Sequence, residues 1–302
     1  MLAIAYGGAG RISPTAGLIA FVLLSLTWPA LWRASLQFRL GNTSWRGLRF
    51  GFKGDLAGAY RAVAPIYLPA VVLVAAPLLL ATEMAAGQPG TLSATQSWLL
   101  FGPLAVLYLL LPWSLCLIKR YQHGGYAYAS QQTSLSASTW AYYKLGLKAF
   151  GISLLIALVL GALAAGAVAL FKTDGQPPSM VGIYGGAALA YLLYFAFIAP
   201  YFTARMQDIV WGGTRSEAIQ FGSQLHVGKL AWLTLKNWLL TAVTLGLYRP
   251  FAMVDTTRMR LAAMAISVEG DLDAWISHAA GDAAPNAAGD AAGDFFGIDM
   301  GL

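Results

Sequence analysis

Charged residues are scarce in this sequence. Only 11% of its 302 residues are Asp, Glu, Lys or Arg, whereas 58% are hydrophobic, and soluble domains carry about 25% charged residues. So little charge excludes an ordinary water-soluble domain and predicts an integral membrane protein. The net charge of +6 is therefore attributed to basic loops beside anionic lipid headgroups, and no nucleic-acid partner is expected.

Cysteine and histidine are rare as well. The single cysteine, Cys116, excludes an internal disulfide, and the three histidines, His123, His226 and His278, have no partner at metal-ligand spacing. His123 and His226 are interpreted as solvated or headgroup-facing side chains. The sequence has no Gly-x-Ser-x-Gly elbow, P-loop or Gly-x-Gly-x-x-Gly loop. We therefore expect a protein that is not an enzyme, with no catalytic residue, no metal site and no cofactor.

Long apolar runs are what the sequence does have. A bilayer core needs roughly 20 apolar helical residues. Five runs qualify: Thr15–Trp32, Ala62–Ala81, Trp98–Ile118, Leu145–Phe171 and Val181–Ala204. Arg11 before the first run suggests a signal peptide, but no small-residue cleavage site follows, so this run is interpreted as an anchor. A sixth run, Leu230–Tyr248, is interrupted by Lys236 and Asn237.

The loops between the runs alternate in positive charge. Segments 33–61, 119–148 and 203–229 hold thirteen Lys and Arg residues, whereas 83–97 and 172–180 hold one. Positive charge favours the cytoplasmic side of bacterial membrane proteins. The alternation therefore predicts a multi-pass protein of the bacterial inner membrane with its basic loops in the cytoplasm.

A repeated phrase occurs in these basic loops. The copies read "PALWRASLQFRLGNT" from Pro29, "PWSLCLIKRYQHGGY" from Pro112 and "PYFTARMQDIVWGGT" from Pro200, and each has a glycine twelve residues after its proline: Gly41, Gly124 and Gly212. A degraded fourth copy begins at Pro250, and its "VEGDLDAW" echoes "FKGDLAGAY" after the first copy. Fixed spacing of this kind indicates a repeated structural unit.

Each copy predicts a helix, a stop and a strand. The helix continues past the proline until Gly41 or Gly212 ends it, because glycine tolerates a positive φ. Alternating hydrophobicity then predicts strands at 46–53, 126–135 and 215–223, with Phe50 or Phe221 on the buried face. We expect these strands to pair or stack with one another beneath the membrane, because an isolated strand leaves its backbone groups unpaired.

Several of these sequence segments resemble the YjgN-type inner-membrane proteins, a bacterial family described as a domain of unknown function. The similarity lies in "NTSWRGLRFGFKG", "WGGTRSEAIQFGS" and above all "NWLLTAVTLGLYRPFAMV", where Phe251 replaces the family's usual Trp. It covers roughly residues 20–275. The resemblance implies one further copy of the unit at the N-terminus; a shortened chain and an incomplete N-terminus would both explain its absence before Met1. It implies no established activity.

The sixth run allows two topologies. A sixth span would place Arg249, Arg258 and Arg260 outside the cell, against the preference of positive charge. A re-entrant hairpin keeps them inside, with arms Leu230–Thr244 and Phe251–Ala265 and a turn from Gly246 to Pro250. Proline suits the start of the second arm because its missing N–H is not needed there. We favour the hairpin slightly and keep the sixth span as the alternative.

The candidate contacts are six polar side chains at the membrane boundary. They are predicted to touch lipid phosphates or an anionic ligand: Arg33, Arg39, Arg49, Lys53, Lys236 and Asn237. A structural interpretation of the last two competes with this one, in which Lys236 extends to the interface and Asn237 caps or bonds a neighbouring helix.

The sequence thus predicts an all-α polytopic membrane protein with about six transmembrane or re-entrant helices and short cytoplasmic strands in repeated units. An N-terminal segment, 1–14, precedes a membrane domain, 15–276, and a disordered Ala/Gly/Asp tail, 277–302. Prolines Pro65, Pro69 and Pro77 favour binding or transport of a lipid or small amphiphile. Small-residue faces, such as Gly161 on the fourth run and Gly186 on the fifth, favour an accessory subunit of a larger membrane complex. The expected partners are accordingly membrane lipids or other membrane subunits.

Overall fold

The structure, a computed structural model, describes residues 13–46, 48–84, 94–128, 131–171, 180–217 and 219–268. Its helices are α1 (Pro14–Gly41), α2 (Leu56–Met84), α3 (Ala94–Gly124), α4 (Thr139–Phe171), α5 (Met180–Gly212), α6 (Val227–Val243) and α7 (Arg249–Ala262). Its strands are β1 (Ser44–Trp45), β2 (Leu48–Phe52), β3 (Tyr126–Tyr128), β4 (Gln131–Gln132), β5 (Ser134–Leu135), β6 (Thr214–Arg215), β7 (Ile219–Ser223) and β8 (Met264–Val268). Residues 1–12 of the predicted N-terminal segment and the predicted tail lie outside the described residues.

Five of the described helices, α1 to α5, are long and apolar enough to cross a bilayer. Each of the five predicted apolar runs falls within one of them. The prediction of a helical protein with membrane-compatible spans is confirmed at this level. Helix α2 continues through Pro65 and Pro69, so these prolines do not break it.

Three helices pass through the proline of a repeat and end on its glycine. Helices α1, α3 and α5 contain Pro29, Pro112 and Pro200, and their last residues are Gly41, Gly124 and Gly212. The predicted ends are confirmed, but the predicted reason is wrong. Among the described glycines only Gly246 has a positive φ, of 98°.

Side chains cap the end of α1 instead. The Asn42 side-chain amide donates to the carbonyl oxygen of Phe38 at 2.9 Å, and the Thr43 hydroxyl donates to that of Arg39 at 2.8 Å. The Thr43 bond satisfies a carbonyl that the end of the helix leaves without a backbone partner, and the Asn42 side chain adds to the bond that its own backbone amide donates to Phe38.

Strands β1 to β4 form an antiparallel sheet in that order. Arg46, with φ 49°, lies in the turn between β1 and β2, and Phe50 pairs with Tyr128 across β2 and β3. The predicted alternation along β2 is confirmed, since Leu48 and Phe52 are buried and Arg49 is exposed. Phe50, which lies between them on the same face, is only half-buried.

Strands β6, β7 and β8 are successive neighbours in a second sheet. Phe221 is half-buried in β7 and its ring lies 5.4 Å from that of Trp211. The expected pairing between strands of different copies is present between β2 and β3, whereas β2 and β7, which carry Phe50 and Phe221, belong to different sheets and do not pair with each other. The first copy pairs with the second through β2 and β3, and the third neighbours the fourth through β7 and β8.

The described chain divides into two compact units. The first contains α1 to α3 and the first sheet, and the second contains α4 to α7. The buried residues of the first include Leu36, Leu48 and Ala59. The second has a small core of Ala204, Leu225 and Leu230.

Helices α6 and α7 form a hairpin. A turn at 244–248 joins them, and Pro250 is in the first turn of α7, as predicted. The second arm ends at Ala262 rather than Ala265, because the chain turns into β8 and the Gln224 amide donates to the Ala263 carbonyl at 3.0 Å. The helix–turn–helix is confirmed, and its position in a membrane stays a prediction.

Candidate functional site

The six predicted contact residues do not form one group. Arg33, Arg39, Arg49 and Lys53 belong to the first unit, whereas Lys236 and Asn237 belong to the second. Each set is therefore considered within its own unit.

Arg33 holds a loop in place. Its Nε donates to the carbonyl oxygen of Gly54 at 2.8 Å, and the Tyr121 hydroxyl donates to the next carbonyl, that of Asp55, at 2.9 Å. A Cβ at Gly54 would lie 2.5 Å from the Phe52 ring and 2.9 Å from the Tyr121 ring. The loop between β2 and α2 is thus packed tightly against aromatic rings, and Arg33 helps to fix it.

The other three predicted contact residues of the first unit, Arg39, Arg49 and Lys53, are exposed. Arg49 lies on the outer face of β2, opposite the buried side chains, and Lys53 follows the strand. Arg39 is close enough to Tyr126 that its charge opposes the rise that burial causes in the pKa of this tyrosine. Exposure of all three agrees with a role at lipid headgroups.

His123 differs from its prediction. Its side chain is buried, with 3% exposed, and its ring lies 5.0 Å from that of Tyr126. Gln122 donates to the Tyr126 hydroxyl at 2.7 Å from the same turn of α3. The expectation of a solvated or headgroup-facing histidine is wrong here, because the first sheet covers the end of α3.

Asn237 joins the two arms of the hairpin. Its Nδ2 donates to the Ala252 carbonyl at 3.2 Å and to the Thr256 hydroxyl at 3.3 Å, and only 4% of the residue is exposed. Its Oδ1 is buried and has no hydrogen-bond partner among the described residues. This geometry favours the structural interpretation of Asn237 over a ligand contact.

Lys236 faces the second arm as well. Its Nζ lies 4.0 Å from Oδ2 of Asp255, and both side chains are partly exposed. An ion pair of this length and exposure contributes little to stability. The Tyr248 hydroxyl approaches the same carboxylate oxygen, at 3.4 Å.

The base of the hairpin is bound to α5. Gln207 accepts from Arg260 Nε at 2.8 Å and donates back to the Arg260 carbonyl at 2.9 Å. Asp208 accepts from the Ser223 hydroxyl at 3.0 Å and from the Leu225 amide at 2.9 Å. These bonds fix the start of α6 and the end of α7 on one helix.

A groove of about 520 Å³ opens at this end of the hairpin. Its lining combines cations, one carboxylate and apolar side chains: Gln224, Leu225, His226, Lys229, Leu233, Asp255, Arg258, Met259, Ala262 and Ala263. Lys229 and Arg258 come from opposite arms, and the apolar lining from α6 and α7 lies between them. A ligand with an anionic group and an aliphatic part would match this lining in both respects.

Residues 1–295 match a family model described as bacterial protein of unknown function (DUF898). The chain belongs to the DUF898 family. This confirms the resemblance to the YjgN-type proteins. Comparisons with curated proteins and with solved structures give no match.

The sequence motif that is most specific to the family resemblance lies in the hairpin. In "NWLLTAVTLGLYRPFAMV", Asn237 bonds the second arm, and the Thr244 hydroxyl accepts from the Tyr248 amide at 3.0 Å. The amide of Gly246 reaches back to the Thr241 carbonyl at 2.7 Å, as in a Schellman helix end. The polar, glycine and proline positions of this phrase therefore build the hairpin and its turn.

Sequence reasoning missed Gln207, Asp208 and the groove. The pair "QD" stands seven residues after Pro200 and has no counterpart in the other copies. Lys229 and Arg258 are 29 positions apart and line the same groove only because the chain reverses between them. No spacing rule connects them before the hairpin is known.

Proposed function

We propose that this DUF898 protein is a non-enzymatic polytopic protein of the bacterial inner membrane that binds or moves a lipid or small amphiphile. The groove at the base of the hairpin is the observation that supports this most. It places Lys229 and Arg258 beside Leu225, Leu233 and Met259. Clefts of roughly 300–1,000 Å³ with apolar walls and few polar groups are the usual form of small-ligand sites.

The proposal includes a re-entrant hairpin. With a rise of 1.5 Å per residue, α6 and α7 are about 25 and 21 Å long, shorter than the roughly 30 Å of a bilayer core. The turn exposes Leu245 by 94% and Leu247 by 81%, whereas Lys229, Arg258 and Arg260 lie towards the opposite end. Such a distribution suits a hairpin whose apolar tip enters the boundary of headgroups and acyl chains, where the exposed Arg249 beside the turn can extend to a headgroup, and whose base stays at the cytoplasmic headgroups.

The proposal also includes a repeated architecture. After Pro29, Pro112 and Pro200 the helix ends twelve residues later, and α7 likewise ends at Ala262, twelve residues after Pro250. A strand begins two or three residues beyond each helix end. This common spacing supports a unit of proline, helix end and strand that occurs four times.

Measuring the lipid that co-purifies with the protein tests the proposed function. The protein is purified in a gentle detergent, and co-purified lipid is identified and counted by mass spectrometry. Ala262→Trp, which would fill the groove, should lower the bound lipid severalfold, whereas Ala242→Trp, an exposed position of α6 outside the groove, should not. An equal lipid content in both variants, or no lipid in the natural protein, would contradict the proposal.

The accessory-subunit function is the second candidate. Gly161 and Gly186 are exposed, and a Cβ at either would meet nothing within 4 Å of the described structure. Small residues on an open helix face allow a second helix to approach closely. A stoichiometric protein partner in the same purification, without bound lipid, would favour this candidate.

A further inference from the structure

We infer that the groove at the base of the hairpin selects a lipid whose headgroup contains a phosphodiester and carries one net negative charge. This inference rests on the proposed function and names the class of ligand for the same site. The charges of the lining residues, the partners of those charges and the position of the groove along the hairpin support it.

The lining has a formal charge of +1. Lys229 and Arg258 contribute the two positive charges and Asp255 the negative one, with His226 counted as neutral. A phosphodiester headgroup with one charge balances this lining. A phosphate monoester would place a second negative charge near Asp255, and a zwitterionic headgroup would bring no net charge.

The two cations are suited to a phosphate. The planar guanidinium of Arg258 matches two phosphate oxygens at once, and the Lys229 ammonium acts as a compact point charge. They come from different helices, so a phosphate between them is held from two sides. Arg260, on the same helix as Arg258, is bonded to Gln207 at 2.8 Å and does not line the groove.

The carboxylate of the groove faces other partners. Oδ2 of Asp255 lies 3.4 Å from the Tyr248 hydroxyl and 4.0 Å from Lys236 Nζ, both farther along the hairpin towards the turn. Lys229 and Arg258 have no contact with this carboxylate within salt-bridge distance. The carboxylate therefore lies on the tip side of the groove, where it leaves both cations to the ligand at the base but still disfavours a second negative charge on that ligand.

The position of the groove favours a lipid over a soluble phosphate. The apolar lining residues Leu225, Leu233 and Met259 lie beside the cations. On another face of α6, Leu239 and Val243 expose further apolar surface nearer the tip. An acyl chain would follow this apolar surface towards the tip while its headgroup stays at the base.

Lipid titration followed by native mass spectrometry tests the inference on the full chain in detergent. The probes are phosphatidylglycerol, with one net negative charge, phosphatidylcholine, with none, and inorganic phosphate as competitor. We expect phosphatidylglycerol to bind about tenfold more tightly. In Lys229→Gln/Arg258→Gln, which removes both charges but keeps a polar end group at each position, its affinity should fall about 30-fold, because each cation near a headgroup contributes about 1 kcal/mol.

The control removes two cations of the same unit outside the groove, as Lys148→Gln/Arg249→Gln. It should retain the preference for phosphatidylglycerol, and melting temperatures establish that both variants are folded. If the groove variant does not fold, the single variants Lys229→Gln and Arg258→Gln should each lose about fivefold. An equal loss in groove and control variants would overturn the assignment to the groove.

Three further outcomes separate the inference from the function on which it rests. Equal binding of both lipids would overturn the headgroup class and leave lipid binding intact. Displacement of the lipid by inorganic phosphate at equal concentration would identify a soluble anion as the ligand and overturn the lipid class. Binding of neither lipid would contradict the proposed function as well.

Discussion

The side-chain amide nitrogen of Asn237 lies 3.2 Å from the carbonyl oxygen of Ala252, on the opposite arm of the hairpin. This bond and the one to Thr256 connect α6 to α7 in a buried position. The residue that interrupts the sixth apolar run is thus the one that closes the hairpin.

Asn237→Ala should destabilise the hairpin. It removes both bonds across the arms, which contribute about 1–2 kcal/mol together, so the melting temperature in detergent should fall. Thr234→Ala is the control, because the Thr234 hydroxyl bonds only to Leu230 within its own helix, at 2.8 Å. Equal melting temperatures of the two variants would show that Asn237 does not hold the arms together.

Gly246→Ala should strain the turn. Gly246 has a φ of 98°, which an L side chain adopts only at a cost of about 1–2 kcal/mol. Gly228→Ala in the first turn of α6 is the matched control, since a Cβ there meets nothing within 4 Å and its φ is not positive. Thermal unfolding should rank Gly246→Ala clearly below Gly228→Ala; the reverse order would contradict the turn geometry.

Gly54→Ala should disturb the loop that Arg33 holds. The new Cβ would overlap the buried Phe52 ring, and overpacking of this kind costs about 1–3 kcal/mol. Gly51→Ala, where the nearest atom is the Ala127 Cβ at 4.0 Å, changes the same residue type three positions earlier. A loss of stability in Gly51→Ala as large as in Gly54→Ala would count against the close packing of this loop.

Phe52→Ala should cost more stability than Phe50→Ala. Phe52 is 7% exposed and packs edge-on against Tyr121 at 5.4 Å, whereas Phe50 is half-buried. Truncation of a buried Phe costs about 3–5 kcal/mol, and a half-buried one less. Urea or thermal unfolding in detergent measures the difference, and a costlier Phe50→Ala would reverse the assignment of the buried face.

Local sequence patterns predicted the helices and strands well, but they did not predict contacts between residues far apart in the sequence. Apolar runs located α1 to α5, and the alternation of Leu48, Arg49 and Phe52 located β2, because burial on one face depends on neighbours in sequence. Which strands pair depends on where distant segments meet, so the sequence predicted pairing among the strands of the repeats without identifying β3 as the partner of β2. The groove of Lys229 and Arg258 depends in the same way on the reversal at Gly246.

The helices that end at a glycine show a second limit of sequence reasoning. The positions of Gly41 and Gly212 were predicted correctly from their spacing after proline, yet neither has a positive φ. Asn42 and Thr43 stop α1 through side-chain bonds to carbonyls. Several caps end a helix equally well, so the sequence indicates that a helix stops more reliably than how it stops.

The alternating loop charge predicts that Ser44 and Ser136 lie in the cytoplasm and that Ser93, in the loop 83–97 without Lys or Arg, lies outside. Cysteine placed at each position, with Cys116→Ala as background, reports its side through a membrane-impermeant thiol reagent applied to intact cells. Ser44 and Ser136 are exposed, so each should react once the membrane is permeabilised. In intact cells only Ser93→Cys should be labelled, because the basic loops are retained inside. Labelling of Ser44→Cys or Ser136→Cys without permeabilisation would invert the topology, and with it the headgroup layer at which the base of the hairpin is placed.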